Sequence, residues 1–223
     1  EEDSSDDDEE EDDDENDNDD DDVVGIPEEV VPQMRQMFRA CCVSDKALLY
    51  RDSRLQVGVQ QQYRKSIGRM MIFFANKSSS TITNFSVNFL AVKFLRWPAN
   101  FPPAIPSAIG PGEQHVVKLQ FESMQPFSSV PEMRVRFKQG GTKFDLGLRL
   151  PIVTTRFVEP VNMDSAAYER AWGSLDKSSA QICQAAGGID VGKVAALVQS
   201  KLHFAIVPGQ QGPVIRGAGS FRT

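Results

Sequence analysis

From Leu55 to Leu150 apolar residues recur at every second position, a spacing that only an extended chain converts into one buried face. Leu55, Val57 and Val59 alternate with polar partners, and so do Phe85, Val87, Phe89 and Ala91. Val117, Leu119 and Phe121 make another one-sided strand, while the run from Met70 to Ala75 is apolar on both faces and predicts a central one. Met133, Val135 and Phe137 are followed by Phe144, Leu146, Leu148 and Leu150 across a loop containing Gly140 and Gly141, which predicts a hairpin. The stretch 97–112 carries Pro98, Pro102, Pro103, Pro106 and Pro111, so it is a surface connection and not a central strand. Short antiparallel strands at this spacing predict a β-sandwich.

After Pro151 the period changes from two to about 3.6, which marks a second unit. Asp164 can cap a helix that sets Tyr168, Ala171, Trp172 and Leu175 on one face. Ser178 and Gln181 are spaced as a capping box for a short second helix that Gly187 terminates. Asp190 can open a third helix through Val191, Val194 and Val198, and His203 to Val207 returns to a strand-like pattern. Helices beside a small sheet define an α+β unit. With one or two strands visible before Thr223, the expectation is that this unit is incomplete.

The formal net charge of -7 hides a division. Residues 1–29 hold 20 of the 31 acidic residues and no Lys or Arg, which leaves 11 acidic against 24 basic side chains, a formal +13, for residues 30–223. Residues 1–22 are almost wholly Asp and Glu and offer no apolar surface to offset the entropy of ordering, so a disordered tether is expected. Residues 23–50 read as a lead-in with one short helix or strand. The basic body favours acidic partners such as acidic peptides, phosphoinositide headgroups or nucleic acid. Nucleic acid is disfavoured, because no helix carries a dense Lys/Arg face and the polyacidic tether would compete.

Cys41, Cys42 and Cys183 cannot all pair within one chain, and two of them are neighbours, so a reducing compartment is expected. No apolar run reaches the ~18–20 residues that cross a bilayer, and the acidic start is unlike a signal peptide; a soluble intracellular protein is expected. Catalytic constellations were sought without success. His115 and His203 lie far apart and read as ordinary strand residues, Cys41 and Cys42 lack CxxC spacing, and Gly217-Ala218-Gly219 is too short for a dinucleotide fingerprint. The expectation is a protein that is not an enzyme and uses no metal or cofactor.

Three segments carry a family resemblance: Ile67-Gly-Arg-Met-Met-Ile-Phe-Phe-Ala-Asn-Lys-Ser-Ser-Ser, Val135-Arg-Phe-Lys-Gln-Gly-Gly-Thr, and Leu150-Pro-Ile-Val-Thr-Thr-Arg-Phe-Val-Glu-Pro followed by Trp172. In order and spacing they resemble the appendage, or ear, of alpha-adaptin, the large subunit of the plasma-membrane clathrin adaptor. The resemblance covers about residues 45–223. It implies an immunoglobulin-like sandwich followed by a smaller α+β platform subdomain, with the acidic run as hinge. On that frame residues 1–36 are the disordered hinge, 37–152 the sandwich and 153–223 a platform cut short.

The resemblance further implies a hub at clathrin-coated pits, in the cytoplasm and peripheral on the plasma membrane. It would bind endocytic accessory proteins through Asp-Pro-Phe or Asp-Pro-Trp motifs. Clathrin and the other adaptor subunits would be reached through trunk and hinge, and the membrane only indirectly. Trp172 matches the family's platform-site tryptophan; the competing reading makes it a core residue, because Tyr168, Ala171 and Leu175 share its face. Glu169 stands where the family usually has an aromatic, Tyr168 is the imperfect substitute, and Ile82 aligns with a phenylalanine of a second peptide site on the sandwich. The platform arginines of the family fall beyond Thr223, and Arg216 and Arg222 are not assigned their role. A coatomer gamma-type appendage is the alternative with the same architecture.

Overall fold

In the computed structural model the described residues are 23–90, 92–101, 103–175, 190–209 and 214–221. They begin with β1 (Val23–Val24), a 3-10 turn (Glu28–Val30) and α1 (Val31–Cys42). Then come β2 (Lys46–Arg51), β3 (Leu55–Arg64), β4 (Ile67–Asn76), β5 (Thr83–Leu90), β6 (Leu95–Arg96), β7 (Gln114–Ser123), β8 (Glu132–Gln139) and β9 (Thr142–Arg149). One sheet runs β2-β3-β4-β7-β6 and the other β1-β9-β8-β5. The alternation seen in the sequence is the alternation of burial. Leu55, Val57, Val59, Met70, Ile72, Phe74, Val117, Leu119 and Phe121 face inward from the first sheet. Phe85, Val87, Phe89, Met133, Val135, Phe137, Phe144, Leu146 and Leu148 face them from the second.

The β8–β9 hairpin closes on Gln139↔Thr142 with Gly140 (φ +57) and Gly141 (φ +86) between, both in the left-handed region that a two-residue turn of this hand requires. β4 is the central strand of its sheet; its outer residues Met71 and Phe73 are half-buried, and not fully covered. Two inward polar side chains are fully satisfied. The Gln61 amide donates to the carbonyls of Cys41 and Ser44 (2.5 and 2.9 Å) and accepts from the Tyr63 hydroxyl (2.9 Å). Asn76 donates to the carbonyls of Ser80 (2.8 Å) and Ile109 (3.0 Å) and accepts from Ser78, so it shapes the turn that leads to Ile82.

The N-terminal side differs from expectation. Residues 23–36, assigned to a disordered hinge, contain β1 and half of α1, and a boundary at 36/37 falls inside that helix. The one short helix or strand expected within residues 23–50 includes the helix α1, in which Pro32 lies in the first turn, where a missing N–H costs nothing. Val30, Met34 and Phe38 lie four residues apart and pack on the sandwich core, which supplies the stabilisation. Cys41 is fully buried at the end of α1, and its thiol donates to the Leu48 carbonyl (3.1 Å). Desolvation, helped by the neighbouring Cys42, pushes the Cys41 thiol up to about 12. Desolvation also pushes Cys42 up to about 11, against the lowering effect of Arg156.

Beyond β9 a 3-10 turn (Thr154–Phe157) leads to β10 (Val158–Pro160), α2 (Ser165–Ser174), α3 (Val191–Lys201), β11 (Ala205–Ile206) and β12 (Gly217–Phe221). The small sheet has three described strands, ordered β10-β12-β11, where one or two were expected. His203 is not a strand residue: it precedes β11 with φ +61. The helix expected over Ser178–Gly187, Cys183 and Arg222 lie outside the described residues. Phe157, 1 % exposed, ties this part to the sandwich through an edge contact with Tyr63 (centroids 5.0 Å) and contacts with Phe121 and Phe221. Arg156 pairs with Asp45 and lies over the Tyr63 ring (5.0 Å).

Two outcomes follow. A Cβ on Gly68 would come within 2.1 Å of the buried Phe121 ring, so Gly68→Ala destabilises by about 1–3 kcal/mol, read as a lower urea midpoint. In a Cys183→Ser background, Cys41 and Cys42 resist a thiol reagent at pH 8. Because the folded state holds thiol protons that the unfolded chain releases near pH 9, stability falls as pH rises from about 9 toward 12.

Candidate functional site

α2 is held at its start and not by burial. Asp164, in extended backbone, accepts from the Ala167 N–H (2.7 Å), the capping contact expected from sequence. The Ser165 hydroxyl donates to the Pro208 carbonyl (2.8 Å) and ties the helix to the segment after β11. None of its ten residues is buried. The apolar face drawn from the spacing exists but is turned to solvent: Trp172 is 46 % exposed and Leu175 59 %. Trp172 is therefore not a core residue.

Tyr168 and Trp172, one turn apart, stack with ring centroids 5.9 Å apart and planes inclined by 12°. Arg216, immediately before β12, reaches across to this pair. Its guanidinium binds the Glu169 carboxylate and lies 5.8 Å from the Tyr168 ring centroid. The Glu169 carboxylate thus faces a cation. Both side chains are well exposed, so the pair itself contributes only ~0–1 kcal/mol. Its effect is positional, fixing where charge sits beside the rings. Arg216 lies 47 residues from Glu169, and sequence spacing gave no sign of the contact.

Ile82 does not join this cluster. It is fully buried in the sandwich and forms a bridge with Ile109, with hydrogen bonds of 3.0 Å in both directions. Its apolar character serves the core. Gly217-Ala218-Gly219 lies in β12, where a Cβ on Gly219 would meet Val158 Cγ1 at 2.4 Å; the glycine allows close strand packing. His115 sits in β7 and His203 before β11. Among the described residues no group of three His, Cys, Asp or Glu could hold a metal, and no helix is long and apolar enough to cross a membrane.

The described residues thus form a two-sheet sandwich followed by an aromatic-bearing helix beside a small sheet. Residues 45–147 match the family model of the adaptin C-terminal domain. Over most of its length the chain is similar to AP-2 complex alpha subunits. It is 27 % identical over 173 residues to AP-2 complex subunit alpha-2 of Dictyostelium discoideum, covering 76 % of this chain and 17 % of that protein. It is 25 % identical over 184 residues to AP-2 complex subunit alpha-1 of Arabidopsis thaliana (81 % and 18 %). The chain thus spans under a fifth of the length of these relatives. Among solved structures, the GAE domain of GGA2p from Saccharomyces cerevisiae is similar at 16 % identity and a TM-score of 0.41, covering 49 % of this chain and 97 % of that one.

Exposure separates the two kinds of aromatic. Trp172→Ala changes the unfolding free energy by less than about 1 kcal/mol in a urea titration. Phe157→Ala, which empties a buried site, costs about 3–5 kcal/mol in the same measurement.

Proposed function

We propose that this chain is the appendage of an alpha-adaptin-type subunit and recruits other proteins by holding short peptide motifs, with no catalytic step of its own. The observation that carries this reading is the solvent-facing Tyr168–Trp172 stack with Arg216 and Glu169 beside it. A surface tryptophan costs a protein solubility unless something covers it, and an aromatic wall next to charge suits a peptide that presents Phe or Trp together with Asp. The similarity to AP-2 alpha subunits supports this reading over a coatomer gamma-type appendage.

In this reading residues 37–152 act as the sandwich subdomain and 153–223 as the platform, and the ligands are Asp-Pro-Phe or Asp-Pro-Trp motifs of endocytic accessory proteins. Clathrin and the other adaptor subunits are contacted outside this chain. The chain works on the cytoplasmic side of the plasma membrane at clathrin-coated pits, touching the membrane only indirectly and binding no nucleic acid. Ile82 enters as support beneath the 77–81 turn, with any peptide contact of that second site made by the turn above it. Each motif binds weakly, and avidity comes from many motifs engaging many tethered appendages.

Titration of the full chain with an Asp-Pro-Trp or Asp-Pro-Phe peptide, followed by Tyr168 and Trp172 spectroscopic shifts, tests the reading. Trp172→Ala weakens binding by about tenfold or more, near 1.4 kcal/mol. Glu169→Gln removes the acidic group beside the rings and strengthens binding of the acidic motif a few-fold. Equal affinity for the wild type and Trp172→Ala removes Trp172 from the site.

A further inference from the structure

A groove lies on the sandwich, lined by no residue of α2. It has a volume of about 640 Å3, and its walls are α1, the last residues of β9 and Leu49 of β2. Its floor is apolar: Leu49 and Leu148 are buried, and Ile26, Met34 and Phe38 are half-buried.

One wall is an open strand edge. Gln139↔Thr142 closes a two-residue turn and is a hydrogen-bonded pair, so Phe144, Leu146 and Leu148 also direct their N–H and C=O groups at β8. Residues 143, 145, 147 and 149 direct theirs away from it. β1 covers that side only at Lys143 and Phe144, and among the described residues no strand pairs there with Gly147 or Arg149. Both line the groove, and both are exposed. Nothing lies within 4 Å of a Cβ placed on Gly147.

The rim is basic. Arg35 and Arg39 stand four apart on α1, are exposed, and form no ion pair among the described residues. Arg149 has one long contact of 3.6 Å to the exposed Glu132. No acidic residue lines the groove. By contrast Arg134 and Arg136 on β8 are already engaged by Asp145 (2.6 and 3.0 Å). Although desolvation works against it, their hydrogen bonds hold the Asp145 carboxyl below the usual carboxylate range.

We propose that this groove binds an extended segment of a partner protein in which apolar and acidic side chains alternate, added as a strand to the open edge of β9. Alternation places every second side chain on the apolar floor and the others beside Arg149. Arg35 and Arg39 flank the strand on its other side. The chain's own residues 1–22 have the charge but only Asp, Glu, Ser and Asn, so they cannot fill the floor; they compete for the arginines.

The test uses the full chain and a capped octapeptide of alternating leucine and aspartate, read by fluorescence anisotropy and by amide exchange. Expected are saturable binding and slowed exchange at Gly147 and Arg149. Arg35→Glu with Arg39→Glu weakens binding by about tenfold or more. Gly147→Pro weakens it while Gly147→Ala does not, because only proline removes the N–H. Replacing the Asp and Glu of residues 1–22 by Ser strengthens it, and Trp172→Ala leaves it unchanged, so failure here is distinct from failure at α2. The proposal falls if charge reversal has no effect, if a leucine–lysine peptide binds equally, or if Trp172→Ala abolishes binding. It also falls if Gly147 and Arg149 are already protected without peptide and lose that protection when the acidic tract is neutralised.

Discussion

Everything in this molecule is referred to one contact, the meeting of two sheets that each have a single apolar face. Neither sheet can be stable alone, because a sheet with Phe85, Val87 and Phe89 or Leu55, Val57 and Val59 on one side leaves that side in water. Packed together they exclude water, and each fully buried large side chain contributes about 1.5–3 kcal/mol. The same demand recruits α1, whose Met34 and Phe38, with Val30 just before it, pack on the core. It also explains why the inward Gln61 and Asn76 each make several hydrogen bonds, since an unpaired polar group there would cost more than the packing around it returns.

The second unit depends on the first. Phe157 enters the aromatic cluster of Tyr63 and Phe121. Arg156, its side chain 4 % exposed, is paired with Asp45 and lies over the face of Tyr63. A ten-residue helix is marginal in isolation, and α2 buries none of its residues. It persists through the Asp164 cap and the Ser165 tie to Pro208. The physical consequence is that its aromatic pair is spared from the core, with Trp172 46 % exposed.

The two proposed sites answer to similar chemistry with different backbones. At α2 a side-chain stack is proposed to carry the recognition, with Arg216 and Glu169 fixing local charge. At β9 an open strand edge, an apolar floor and three arginines do so. Both suit short segments that combine apolar and acidic residues, in keeping with a basic body of formal +13 joined to an acidic tract. Weak sites of this kind gain strength from repetition.

The strands, the β8–β9 hairpin and the Asp164 and Asp190 caps could be read directly from residues, because period two, a Gly-Gly turn and a cap are local rules with local causes. So was the switch after Pro151. α1 was less legible: residues 23–50 read only as a lead-in with one short helix or strand, and what decides for the helix is the core that it covers. His203 read as a strand residue, but a left-handed φ is imposed by its neighbours and carries no mark in composition. Spacing put Tyr168 and Trp172 on one face of a helix and could not say whether that face is covered, nor could it bring Arg216 to Glu169 from 47 positions away. Sequence alone determined which segments are extended and which helical, because those preferences are set within a few residues. Burial of Ile82, exposure of Trp172 and the free edge of β9 were decided only by tertiary structure, because each depends on what distant parts of the chain do or do not place against it.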